Sequence, residues 1–105
     1  MRGYTERHHF VSKRSIRARR SHVALKAKRF EELSEAEHRL LFTPLSRILA
    51  DERNLVTLTP IRHHRVTHGF EKLSLDDVPQ IREFAAEYAL EPALERKLAA
   101  FTNRA

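Results

Sequence analysis

Histidine is the residue type in this sequence best placed to do chemistry. The chain has seven histidines, and five of them fall in two tight groups: His8-His9 near the start, and His63-His64 with His68 further on. Neutral imidazole is the commonest side-chain ligand for metals and the group whose proton moves most readily near neutral pH. Residues four apart on an α-helix differ by about 40° around its axis, so His64 and His68 would leave one face and converge on one ion. His63 and His68 would diverge by about 140°, and His63 instead shares its face with Thr67. The spacing therefore favours His64/His68 as the helical pair. A two-part histidine site also suits hydrolysis: ligands hold a divalent ion against a phosphate oxygen while a neighbouring unligated imidazole removes a proton from water. Histidines beside arginines on a basic chain also serve as plain phosphate contacts, and both readings stay open at this point.

Such groups need elements to aim them. Tyr4 to Ser12 is rich in β-formers and reads as a short strand carrying His8 and His9. Asn54 to Thr59 (NLVTLT) reads as a second strand by its β-branched content. Thr59-Pro60 then supplies an N-cap and a proline at the first helical position, and Gly69 stands where a left-handed residue closes a helix, so a short helix from Pro60 to His68 carries the second histidine group. Between the strands, Lys13 to Phe30 is basic and follows no clean period, with helix expected in part. Ser34-Glu35-Ala36-Glu37 is a capping box opening a helix. Leu40, Leu41, Leu45, Ile48 and Leu49 recur there at helical spacing, and Pro44 splits the run. Towards the end, Ser74 to Asp77 opens another capped helix with Val78, Ile81, Phe84, Ala85 and Tyr88 as its apolar stripe. Glu91-Pro92 starts a last helix with Leu94, Leu98 and Phe101 facing inward.

Composition narrows the classes. A chain of 105 residues with 41% hydrophobic residues and no Trp builds one small, thinly filled domain, which excludes a multidomain enzyme or a doubly wound nucleotide-binding fold and leaves room for a metal to add stability. The absence of Cys removes disulfide scaffolds, thiol catalysis and thiolate zinc sites, so any metal must sit on His, Asp, Glu or Asn. No segment approaches the ~20 apolar residues that span a bilayer, and the N-terminus lacks an apolar run, so no membrane partner and a cytoplasmic location are expected. Charge is unevenly placed within the net +6: residues 1–30 hold ten of the 20 Lys and Arg and one acid, Glu6, whereas the remainder carries ten bases against thirteen acids. A basic arm of this kind is the footprint of a phosphate-backbone binder. Charge alone does not separate DNA from RNA.

Glu6-Arg7-His8-His9, followed later by the unbroken stretch from Asn54-Leu55-Val56-Thr57-Leu58 through His63, His64 and His68 to Gly69, resembles the HNH endonucleases with their ββα-metal fold. Thr59-Pro60-x-Arg62-His63 is similar to the Cys-free DNase domains of colicins and pyocins, and small phage HNH proteins share the length and the Asn-Leu-Val-Thr-Leu run. The resemblance implies a single α+β domain: a basic N-terminal part with the first motif strand (1–30), a helical insertion (31–53), the strand-helix half of the motif (54–69) and helical support (70–105). It implies a metal-dependent DNA endonuclease or nickase, with DNA as partner and, for phage-encoded members, packaging or recombination proteins. His8 would be a metal ligand, His9 the general base, and Asn54 the residue pinning the loop that joins the strands. His63 or His64, together with His68, would complete the metal site, and Glu6 and Arg62 would position the phosphate. The divalent ion, Mg, Mn, Ni or Zn, would polarise the phosphate and stabilise the leaving 3′ oxygen. Lys13, Arg14, Arg17, Arg19, Arg20, Lys26, Lys28 and Arg29 would grip DNA.

The sequence also departs from the family. The interval from His9 to Asn54 is longer than usual, which makes Lys13 to Asp51 an insertion. The family's last ligand, four residues after the first helical histidine, falls here on Thr67. Either the register moves to His64/His68, or His63 is the sole helical ligand and His68 meets phosphate. His38, with Pro44-Leu45-Ser46 and Asn54, offers a rival first half of the motif. A non-catalytic nucleic-acid-binding or packaging accessory protein with a degenerate site is the main alternative function, and an RNA-directed toxin a third.

Overall fold

A computed structural model describes residues 6–27, 29–70 and 73–102, and within them every side chain except those of Glu6, Phe30, Phe101 and Thr102. It is a compact α+β fold. Strand β1 (Glu6–His9) pairs antiparallel with β2 (Leu55–Leu58), with Glu6 opposite Leu58, Arg7 opposite Thr57, His8 opposite Val56 and His9 opposite Leu55. Side chains alternate along a strand and directly opposed residues share a face. Val56 and Leu58 are buried and Thr57 is exposed, so His8 lies on the inward face and His9 on the other. The Arg7 guanidinium pairs with Glu52 at the entry to β2.

The chain leaves β2 directly into helix α4 (Pro60–Thr67), numbered after the three helices inserted between the strands. The Thr59 hydroxyl accepts the Arg62 N–H at 3.2 Å, and Pro60 occupies the first turn, where its missing N–H costs nothing. The helix stops at Gly69, whose φ of 78° is left-handed and lets the Phe70 N–H reach back to the Arg65 carbonyl at 2.8 Å. Val66 turns α4 towards the core.

Three helices fill the interval between the strands: α1 (Lys13–Lys26), α2 (Glu35–Phe42) and α3 (Leu45–Leu49). Ser12 caps α1, and Ser34 with Glu37 forms the expected reciprocal box at α2, where the Ser34 N–H holds the Glu37 carboxyl below the usual carboxylate range. Pro44 separates α2 from α3. The basic segment is not an arm: α1 buries Ile16 and Val23 against the core, because two apolar residues seven apart fall on one helical face. The expected boundary near residue 30 therefore lies inside one helical layer, with α1 packed on α2.

After α4 the expected single helix from Ser74 is two pieces, a 3-10 turn (Leu75–Asp77) and α5 (Ile81–Glu87). Pro79 is the reason. It disfavours helical backbone in the residue before it, and Val78 sits at φ −137°, ψ 71°. Helix α6 (Glu91–Thr102) closes the fold. Phe10, Leu40, Ile48, Leu58, Phe84 and Leu94 are among the largest fully buried side chains. At the core's edge Arg53 donates to Asp51 at 2.9 and 2.6 Å, pairs with Glu87 at 2.9 Å and lies over the Phe84 ring, tying the approach to β2 onto α5. The same contact holds the Asp51 carboxyl below its ordinary range. Among the described residues no helix is long and apolar enough to cross a membrane.

Candidate functional site

His8 leaves the inward face of β1 and meets His63 of α4, with ring centroids 6.3 Å apart in an edge-on arrangement. A ring nitrogen lies about 1 Å from its ring centre and binds an ion at roughly 2 Å, so two imidazoles sharing one ion stand at most about 6 Å apart, and about 5 Å at the tetrahedral angle. The observed separation is slightly wider, so a shared ion would require the two rings to close by about 1 Å. Both rings are half-buried. Burial, and then the charges of Lys97, His63 and His9, hold the His8 pKa below its usual value. A neutral ring with a free lone pair is the form that ligates metal.

His64 of α4 and His68, which caps its C-terminus, stand apart. His64 and His68 approach each other at 4.3 Å between centroids, as four-residue spacing requires, but both are exposed. It is His63, one position out of register with that pair, that α4 turns towards His8. Among the described residues no three His, Asp or Glu side chains gather into one cation-holding group. The histidines form two pairs and not one four-membered cluster.

His9 is turned away from His8 by the pleat of the strand. Its Nε2 lies 2.9 Å from the Leu49 carbonyl. A carbonyl only accepts, so Nε2 carries the hydrogen and Nδ1 keeps the lone pair. This fixes which nitrogen can take a proton.

Asn54 is fully buried directly before β2. Its Oδ1 accepts the Val11 N–H at 2.7 Å, its Nδ2 donates to the Val11 carbonyl at 3.0 Å, and its own carbonyl accepts the Phe10 N–H at 2.9 Å. Three hydrogen bonds thus clamp the two residues that follow His9, at the point where β1 runs out into the helical insertion.

Arg62 lies on the same helix as His63, and its guanidinium is engaged by Asp77 at 2.9 Å, bracing α4 against the 3-10 turn that follows. The basic residues of α1 divide in the same way. Arg19 donates to the Ala89 carbonyl at 2.8 Å and Arg20 to the Leu41 carbonyl at 3.2 Å, so both bind α1 to its neighbours. Lys26 faces Glu37 at 3.8 Å, and Arg29 faces Glu32 at 3.6 Å. Lys13, Arg14 and Arg17 are exposed and line a shallow cavity of about 390 Å³. Among the described residues these three make no ion pair. The side chain of Glu6 and the whole of Lys28 lie outside the described residues. His38 sits within α2, its ring 6.3 Å from Phe42 on the same helix, and so not on a strand as the rival first half would need.

Two cations of α6 escaped the sequence reading. Arg96 joins Arg19 and His22 around a cavity of about 400 Å³ between α1 and α6. Lys97 places its ammonium 4.7 Å from the centre of the Phe10 ring. Its only sequence signal is a charge on the helical face otherwise defined by Leu94, Leu98 and Phe101.

No family model matches the chain, and no curated protein or solved structure matches it.

Proposed function

We propose that this protein is a metal-dependent phosphodiesterase acting on DNA, an endonuclease or nickase, whose β1, β2 and α4 form a ββα-metal core. The observation that carries this reading is the meeting of His8 and His63, one from each half of the motif. Two imidazoles would hold a divalent ion and leave its remaining positions open to a phosphate oxygen and water. The donors are both nitrogen, which suits Ni and Zn, with Mn and Mg as the harder alternatives. When bound, the ion would supply Lewis-acid polarisation of the phosphate. His9, on the opposite face of β1 with Nε2 anchored on Leu49, would serve as base at Nδ1 for a water reaching it round the end of the strand. Asn54 holds the strand end that carries it. Lys13, Arg14 and Arg17 attract the phosphate backbone without reading sequence.

The test is conversion of supercoiled plasmid in Mg, Mn, Ni and Zn, and in chelator. Nicking that needs a metal, that falls on the order of 10²-fold or more in His8→Ala, His9→Ala and His63→Ala, and that persists in the double variant of His64 and His68 to Ala is the expected result. Equal losses in all variants would place the chemistry elsewhere on α4. A second reading, a nucleic-acid-binding accessory protein without hydrolysis, is favoured by the pairing of the histidines in twos. Intact plasmid under every ion, with tight salt-sensitive binding, would select it.

A further inference from the structure

We propose that Lys97 contacts the phosphate received by the His8–His63 pair, so that α6 contributes a substrate-binding cation to a site otherwise built from β1 and α4. This rests on the phosphodiesterase reading above. The first ground is position. Ala93 and Leu94 are buried and Leu98 packs against the core, and Lys97 lies on the same stripe, one turn beyond Ala93 and beside Leu98. A cation on an apolar face loses hydration without gaining packing, and burial holds this ammonium below its ordinary pKa.

The second ground is the lack of a partner. Among the described residues Lys97 makes no ion pair with a carboxylate, and its ammonium lies against the face of Phe10. Cation–π attraction is a partial substitute for lost water and for an anion.

The third ground is direction. Phe10 follows His8 by two residues, and its N–H bond to the Asn54 carbonyl extends the strand ladder, so His8 and Phe10 leave the same side of the chain. Lys97 covers Phe10 on that side, where His63 also meets His8. A cation and two imidazoles therefore surround one end of the sheet. An anion is the natural complement, and a phosphodiester is the anion a histidine-bound ion would hold there.

The test compares Lys97→Met with the wild-type chain in four measurements: Tm, calorimetric Ni²⁺ affinity, binding of a short fluorescein-labelled DNA duplex in chelator across a salt series, and plasmid nicking. Met keeps the length and apolar stem, and Lys97→Gln serves as a second variant. A phosphate contact requires an unchanged or higher Tm and an Ni²⁺ affinity that is unchanged or higher, since a neighbouring positive charge is removed. It also requires roughly tenfold weaker duplex binding, the effect of losing one charge-assisted hydrogen bond, with a salt slope smaller by about 0.9. Nicking should slow on the order of 10²-fold. Wild-type nicking and binding in both variants would overturn the proposal, as would losses that merely follow a fallen Tm. If the wild-type chain nicks nothing yet Lys97→Met still binds duplex more weakly, the contact stands and the hydrolytic reading falls. If the wild-type chain neither nicks nor binds, both fall.

Discussion

Asn54 has its amide committed to both polar groups of a single residue, Val11, and neither it nor Val11 reaches solvent. Replacing it with Ala would leave the Val11 N–H and carbonyl buried without partners. Asn54→Ala is expected to lower unfolding free energy by about 2–4 kcal/mol, read from urea titration. Asn54→Asp keeps the acceptor but turns a carboxylate oxygen on the Val11 carbonyl, so it is expected to cost at least as much. The histidines were legible in the sequence because their clustering needs no knowledge of the fold. The choice of His63 over His64 as the partner of His8 was not, since it depends on which side of α4 meets the sheet. That side is settled by Val66, the residue of α4 that packs on the core three positions after His63, and not by the spacing of the histidines. Lys97 was hidden for a related reason: a lysine on an apolar stripe means little until the element opposite it is known.

Helices α4 and α5 end alike. In each, a left-handed residue lets the next N–H reach back five residues: Gly69 with Phe70 to Arg65, and Ala89, at φ 53°, with Leu90 to Ala85. The first position suits glycine and the second does not, since a Cβ in left-handed backbone costs on the order of 1–2 kcal/mol. Gly69→Ala has open space around the added Cβ, yet is expected to destabilise by about 1 kcal/mol through φ alone. Ala89→Gly is expected to stabilise by a few tenths to about 1 kcal/mol, the relief of strain being partly offset by chain entropy. Opposite shifts in Tm for the two variants would check both. Caps and stops of this kind made most of the elements legible, because Ser34, Thr59, Pro60 and Gly69 act through local hydrogen bonds. The division at Pro79 was missed because the apolar spacing from Val78 to Tyr88 continues across a residue that local backbone does not let into a helix.

Charge in the assembled protein is organised more finely than the +6 total suggests. Half of the α1 arginines and lysines expected on DNA are bound to carbonyls or acids of neighbouring helices, which leaves Lys13, Arg14 and Arg17 as the open face. Reversal of those three to Glu is expected to weaken duplex binding at least tenfold and to flatten its salt dependence, at unchanged Tm. Reversal of Arg19 and Arg20 is expected to lower Tm, because Arg19 ties α1 to the turn between α5 and α6 and Arg20 ties it to α2. Charge counting along the chain found the basic segment and could not sort these two sets, since a bound and an open arginine read alike.

The clamp between Val11 and Asn54 joins residues 43 apart, and this has a kinetic side. Closing so long a loop costs entropy before any contact repays it, so local helices form readily and the strand pairing comes late. A chain still leaving the ribosome, or one cleaved between α1 and α3, carries His8 yet has not brought it to His63. Amide hydrogens of Phe10 and Val11 should accordingly exchange together, through opening of the strand pair, ahead of those in the core helices. The proposed meeting of His8 and His63 would then be made in one step, with the closing of the last loop.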